Sequence, residues 1–120
     1  MALGMIEVYG FTTAIVVADA AAKAGDVRIT ALDRNKPANA DQCEVPLVMV
    51  VKIEGPVADV ESAMEAGIAQ AKQRNLFITS DLIARQEADT EKMVRIEASG
   101  RDHLRKPIDA QTVEKTVSEV

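Results

Sequence analysis

The stretch "VPLVMVVKIEG", residues Val45–Gly55, decides the fold because it is a nearly continuous apolar run. A run of this length bounded by prolines and a glycine is typical of a strand in the middle of a sheet. Pro56 follows and fits the first turn of a helix. The apolar residues after it repeat at helical spacing through Gln73: Val57, Val60, Met64, Ile68 and Ala71.

The segments around this unit predict a split βαβ fold. Three further stretches are predicted as strands: Gly4–Phe11, Val27–Asp33 and Leu76–Arg85. A helix between the first two has Thr12 or Thr13 as its expected N-cap and Gly25 as its stop. The order strand, helix, strand, strand, helix, strand predicts an α+β domain, with one antiparallel sheet and both helices on one face.

Length and charge exclude several classes of protein. At 120 residues the chain is expected to form one domain. A net charge of −5, with no clustered Lys and Arg, argues against a nucleic-acid partner. No apolar run reaches the roughly 20 residues of a membrane span, and no secretory signal is expected. The single cysteine fits a reducing compartment, so the expected location is the cytoplasm.

No catalytic pattern stands out in the sequence. There is no glycine-rich phosphate loop, and the one histidine, His103, lies in a charged tail where it is expected to be solvated. Glu61 and Glu65 are expected to belong to a solvated helix face. The chain is therefore predicted not to be an enzyme. In the tail, Asp109–Val120 is predicted to form a short amphipathic helix.

The segment "DRNKPANADQCEVPL", Asp33–Leu47, is too long for a simple hairpin and holds the only cysteine, Cys43. One cysteine can neither form an intrachain disulfide nor hold a metal ion by itself. The loop makes chemical sense only if further copies of it are supplied by other chains.

Four segments together resemble bacterial microcompartment shell proteins. "ALGMIEVYGF" (Ala2–Phe11) resembles the first strand of that domain, and "ADAAAKAG" (Ala18–Gly25) its first helix. "GPVADVESAMEAGIAQA" (Gly55–Ala71) resembles the second helix, and "DLIAR" (Asp81–Arg85) the last strand. The resemblance implies a shell domain over residues 2–86, with a charged extension over residues 87–120.

Such proteins form cyclic homohexamers that tile, with other shell proteins, the wall of an enzyme-filled compartment in the cytoplasm. The resemblance implies that Lys23 and Arg85 lie at the hexamer edge and contact neighbouring hexamers. The alternative for Lys23 is an ordinary ion pair with Asp19, one helical turn earlier.

The long loop departs from the family, whose members usually carry a short glycine-serine turn at a central pore. The candidate pore-lining residues are Lys36, Asn39, Asp41, Gln42 and Cys43. The loop resembles that of a divergent shell protein of glycyl-radical propanediol compartments, which holds an iron–sulfur cluster. A 4Fe-4S cluster shared between subunits through Cys43 is then the implied cofactor. The alternative is that Cys43 is a small, partly buried residue.

Two other functions remain open at the level of sequence. The split βαβ topology, which is also that of ferredoxin-like domains, occurs in regulatory modules that bind small molecules, usually as dimers or trimers. A small oligomeric enzyme with its site at a subunit boundary is the third hypothesis.

Overall fold

The structure is a computed structural model that describes residues 1–35 and 47–95. Its elements, in chain order, are β1 Ala2–Tyr9, α1 Phe11–Ala24, β2 Arg28–Asn35, β3 Val48–Gly55, α2 Val57–Gln73, β4 Phe77–Ile83 and α3 Ala88–Val94. The first six follow the predicted order, so the predicted split βαβ fold is confirmed.

One four-stranded antiparallel sheet forms the middle of the molecule, with the strand order β2-β3-β1-β4. β3, which corresponds to the apolar run of the sequence, pairs with β2 on one side and with β1 on the other. β1 pairs with β3 from Ala2 opposite Gly55 to Tyr9 opposite Val48. The predicted central position of β3 is therefore correct.

The two long helices pack on one face of the sheet over an entirely apolar core. The sheet contributes to this core Ala2, Ile6, Val8, Met49, Val51 and Ile53, and the helices contribute Ala14, Val17, Ala18, Ala21, Val60, Ala63, Met64 and Ala71. Many of these side chains are small, which lets helices and sheet approach closely. A Cβ atom added to Gly4 would lie only 2.6 Å from the sulfur of Met64.

The start of α1 differs from its prediction. The N-cap residue is Gly10, with φ of 89°, and no side chain caps the helix. Thr12 and Thr13 were expected as caps, but both lie inside the helix, and Thr13 is buried. The positive φ of glycine lets the chain turn directly from β1 into α1. The turn is held by a hydrogen bond from the Gly10 amide to the carbonyl of Leu47, at 2.7 Å.

The third helix, α3, contacts the other face of the sheet. The Lys52 side chain, which alternates along β3 with the core residues Val51 and Ile53, donates to the carbonyl of Val94 in α3. This helix was not predicted at its position, and the helix predicted over Asp109–Val120 falls outside the described residues. No helix within residues 1–35 and 47–95 is long and apolar enough to cross a membrane.

Candidate functional site

The long loop leaves the sheet at one of its two ends. β2 ends at Asn35 and β3 begins at Val48, and these two residues are paired. Val48 is also paired with Tyr9, where β1 ends. The predicted pore-lining residues all belong to residues 36–46, beyond what the structure describes: Lys36, Asn39, Asp41, Gln42 and Cys43. Their assignment to a pore, and that of Cys43 to a metal, stay predictions.

Lys23 and Arg85 lie at the opposite end of the sheet. Lys23 is in the last turn of α1, and the chain then continues within a few residues into the start of β2. Arg85 follows the end of β4, where Ile83 pairs with Leu3 at the start of β1. β1 has eight residues, so roughly 25 Å of strand separates this end from the loop end. The structure thus brings the two predicted edge residues to one end of the domain.

The Lys23 ammonium group forms an ion pair with Asp19, with 2.7 Å between Nζ and Oδ2. Both side chains are largely solvent-exposed, at 75% and 60%. The pairing that the sequence offered as an alternative is therefore present. An exposed pair of this kind contributes little to stability, and it leaves the Lys23 side chain accessible to a neighbouring molecule.

Arg85 is exposed, and the residue after it is firmly anchored. The backbone N–H of Gln86 donates to the carbonyl of Met1, at 3.1 Å, and the side chain of Gln86 is buried. Arg85 and Gln86 line an open cleft together with Met1, Glu87, Ala88 and Glu91. The anchoring of Gln86 fixes the backbone that presents Arg85 to solvent.

A buried carboxylate, Glu54, lies close to the Gln86 anchor. Its side chain is fully buried at the end of β3, on the face opposite the core. Thr30 Oγ1 donates to Glu54 Oε1 at 2.6 Å, and Gln86 Nε2 donates to Glu54 Oε2 at 2.8 Å. Glu54 therefore joins the edge strand β2 to the segment that follows β4.

Two guanidinium groups approach the same carboxylate. Arg28 Nη2 is 3.6 Å and Arg95 Nη2 is 4.0 Å from Glu54 Oε1. Burial is the largest single influence and raises the pKa of Glu54. The hydrogen bonds from Thr30 and Gln86, and the charges of Arg95 and Arg28, outweigh it and bring the pKa below its ordinary value of 4.5. Glu54 is thus ionised at neutral pH.

The sequence analysis missed this cluster because β3 was treated as one apolar run. Glu54 is a single acidic residue at the end of that run, and it alternates with the core residue Ile53. A lone charge in an otherwise apolar strand was the available signal, since a buried charge needs a partner. Its partners, however, come from residues 28–30 and 86–95, and their proximity appears only in the folded chain.

Comparison with known proteins agrees with the resemblance described from the sequence. The model of the family described as "BMC domain" matches residues 2–86. The bacterial microcompartment shell protein PduK of Citrobacter freundii is 34% identical over 83 residues, which are 69% of this chain and 48% of that protein. The chain therefore matches less than half of PduK. The shell protein PduA of the same organism is 32% identical over 93 residues, which are 78% of this chain and 90% of PduA.

A carboxysome shell protein and a solved structure extend the comparison. CcmK3 of Halothece sp. (strain PCC 7418) is 36% identical over 73 residues, which are 61% of this chain and 63% of CcmK3. A microcompartment protein from Desulfitobacterium hafniense DCB has a TM-score of 0.63 and 28% identity, covering 76% of this chain and 47% of that one. PduK, PduA and CcmK3 are shell proteins, in agreement with the prediction that this chain is not an enzyme. The chain belongs to the BMC-domain family of bacterial microcompartment shell proteins.

Proposed function

We propose that this chain is a structural tile of a microcompartment wall in the cytoplasm. It closes into a cyclic homohexamer, and hexamers pack edge to edge with one another and with other shell proteins. The end of the sheet from which residues 36–46 leave faces the six-fold axis. The end that carries Lys23 and Arg85 faces neighbouring hexamers.

The observation that carries this orientation is the placement of the two candidate regions at opposite ends of one sheet. The loop connects Asn35 to Leu47 at one end, and Lys23 and Arg85 lie at the other. If the strands run along the radius of a flat ring, one end of each sheet points inward and the other outward. A single orientation of the subunit can therefore place residues 36–46 at the pore and both Lys23 and Arg85 at the hexamer edge.

Sedimentation velocity and electron microscopy test the tile. We expect one closed species of hexamer size, and extended layers at higher protein concentration. Arg85→Ala should abolish the layers and leave the hexamer, because Arg85 is exposed and its loss leaves the core intact. Arg74→Ala is the matched control: Arg74 is an exposed arginine at the other end of the sheet, after α2, and its loss should leave the layers unchanged. A monomer, dimer or trimer as the only species would defeat the proposal, and a dimer or trimer would favour the regulatory module.

For the loop, we propose that Cys43 residues of several subunits ligate a 4Fe-4S cluster at the axis. The support is the single thiol in the loop and the need for about four thiolate ligands. The loop also starts at the end of the sheet that we propose faces the axis. Six equivalent thiols cannot all ligate such a cluster, so the cluster uses a subset of them or recruits a different ligand.

The cluster is tested separately from the tile. Protein purified without oxygen should be brown and contain stoichiometric iron and sulfide. Cys43→Ser should lose the colour and the iron while sedimenting as the same hexamer. If the serine variant keeps its iron, or if the anaerobic wild-type protein contains none, the cluster proposal is wrong and the tile proposal is unaffected.

A further inference from the structure

Two guanidinium groups approach the same oxygen of Glu54, yet neither is hydrogen-bonded to it. The distances from their Nη2 atoms to Glu54 Oε1, 3.6 Å for Arg28 and 4.0 Å for Arg95, exceed the 2.7–3.2 Å typical of a hydrogen bond. Their side chains are 61% and 49% exposed. Glu54 Oε1 therefore lies near both guanidinium groups without accepting a hydrogen bond from either.

The carboxylate is already satisfied by other donors. Thr30 and Gln86 supply short hydrogen bonds to its two oxygens, at 2.6 Å and 2.8 Å. Arg95 uses one of its own donors within the described residues: its Nη1 donates to the carbonyl of Glu91, at 3.2 Å. A guanidinium group has five N–H donors, and side chains that are 61% and 49% exposed leave some of these donors accessible to a ligand.

The three charged side chains of this cluster, Glu54, Arg28 and Arg95, carry one more positive charge than negative. One buried carboxylate serves two guanidinium groups, which leaves an excess of one positive charge in a chain whose net charge is −5. Two guanidinium groups side by side repel each other, and an anion between them removes that repulsion. Planar guanidinium groups match the oxygens of carboxylate and phosphate better than any other side chain.

We propose that Arg28 and Arg95 form a binding site for a small free oxyanion, with Glu54 as its buried floor. The ligand class is a phosphate or carboxylate group of a small molecule, which contacts both guanidinium groups from the solvent side. The site is formed within one subunit and is independent of the shell function.

Calorimetric titration with inorganic phosphate tests the site, at pH 7, constant ionic strength and protein concentrations below those that form layers. Acetate is titrated in parallel to represent the carboxylate class. Arg28→Gln and Arg95→Gln should each weaken phosphate binding by about tenfold or more, since each removes a charge-assisted contact. Arg74→Gln, an exposed arginine elsewhere on the surface, should leave the affinity unchanged.

Glu54→Gln gives a result of the opposite sign. Glutamine keeps the shape of the side chain, and removing the negative charge raises the excess at the site from one positive charge to two. Phosphate should therefore bind more tightly, in a variant that thermal melting shows to be folded. A purely structural role of the cluster would give no such gain.

Three outcomes would overturn the proposal. The first is that the wild-type protein binds neither phosphate nor acetate. The second is that all the arginine variants, including the control, bind phosphate equally, which indicates general electrostatic attraction. The third is that Arg28→Gln and Arg95→Gln prevent layer formation without changing phosphate affinity. In the last case the guanidinium groups contact a carboxylate of another chain.

Discussion

Ile53 and Glu54 are consecutive residues of β3, and both side chains are fully buried, but on opposite faces of the sheet. Ile53 packs in the apolar core beneath α1 and α2. Glu54 lies in a polar cluster with Thr30 and Gln86. The two positions show that complete burial arises here from two different kinds of interaction on the two faces of one strand.

The difference has consequences for what each face responds to. The face of the sheet that packs against α1 and α2, here called the helix face, is stabilised by apolar area removed from water. This contribution does not depend on pH. On the other face, α3 buries one side chain, Val94, and is held by polar contacts to Lys52 and Glu54. Those contacts depend on charge. The stability of the face that carries α3 should therefore change with acid and salt, while the stability of the helix face should not.

The largest expected effect is that of Ile53→Ala. The change removes buried methyl groups and leaves a cavity under the helices, so the free energy of unfolding should fall by about 3 kcal/mol. Denaturant unfolding at pH 7 and at pH 4 should give the same loss. Ile15→Ala, at an exposed position of α1, is the control and should lose under about 1 kcal/mol.

Glu54→Ala should lower the free energy of unfolding by about 2 kcal/mol at pH 7, because the buried amide of Gln86 and the hydroxyl of Thr30 lose their acceptor. The control is Glu61→Ala, an exposed glutamate of α2, which should change stability by less than about 0.5 kcal/mol. A loss at Glu54 as small as that of the control would show that the cluster contributes nothing to the fold.

The pH dependence of the Glu54→Ala effect follows from the lowered pKa. A carboxyl group whose pKa is lower in the folded than in the unfolded state stabilises the fold above the unfolded value, near 4.5. This contribution is lost as the pH falls from there through the folded pKa. The difference between wild type and Glu54→Ala should therefore shrink below about pH 4.5, whereas the Ile53→Ala difference stays constant. Equal pH dependence of the two differences would contradict the comparison of the two faces.

Lys52→Met should have a smaller effect, about 1 kcal/mol, concentrated in α3. The Lys52 ammonium group is 3.2 Å from the carbonyl of Val94 and 3.5 Å from Asp33 Oδ2, and methionine replaces the apolar part of the side chain without the charge. Hydrogen exchange should show faster exchange of the α3 amides, with little change in the core strands. Lys92→Met, at an exposed position of α3, is the control.

The smallest effect on stability is expected for Lys23→Ala, roughly 0.3 kcal/mol, because its pair with Asp19 is exposed. Assembly should respond in the opposite way, with layers lost or strongly reduced. Thermal melting and electron microscopy of the same samples check both halves. If Lys23→Ala forms layers as well as the wild type, Lys23 is an ordinary surface residue.

The helix face could be predicted from the sequence because its signal is periodic. Apolar residues at helical spacing in Val57–Gln73 and a continuous apolar run before them predict packing without knowledge of any particular contact. The caps were predicted less well, since Gly10 takes the role expected of Thr12 or Thr13. At that position the backbone geometry of the strand-to-helix turn outweighed side-chain capping.

The polar face could not be predicted in the same way. Glu54 gains its partners from residues far apart in the chain, such as Arg28 and Arg95, and no periodic pattern links them. Lys23 and Arg85 were predicted as hexamer-edge residues through resemblance, and the fold places both at one end of the sheet. The roles of Lys36, Asn39, Asp41, Gln42 and Cys43 depend on contacts between subunits, which a single chain does not contain.

Electron cryomicroscopy of assembled layers, at a resolution that shows side chains, tests the central claim most directly. The account predicts hexagonal rings in which residues 36–46 of every subunit surround the six-fold axis, while Lys23 and Arg85 contact the adjacent ring. Rings with the loop at the outer edge, or a ring of a different symmetry, would contradict it.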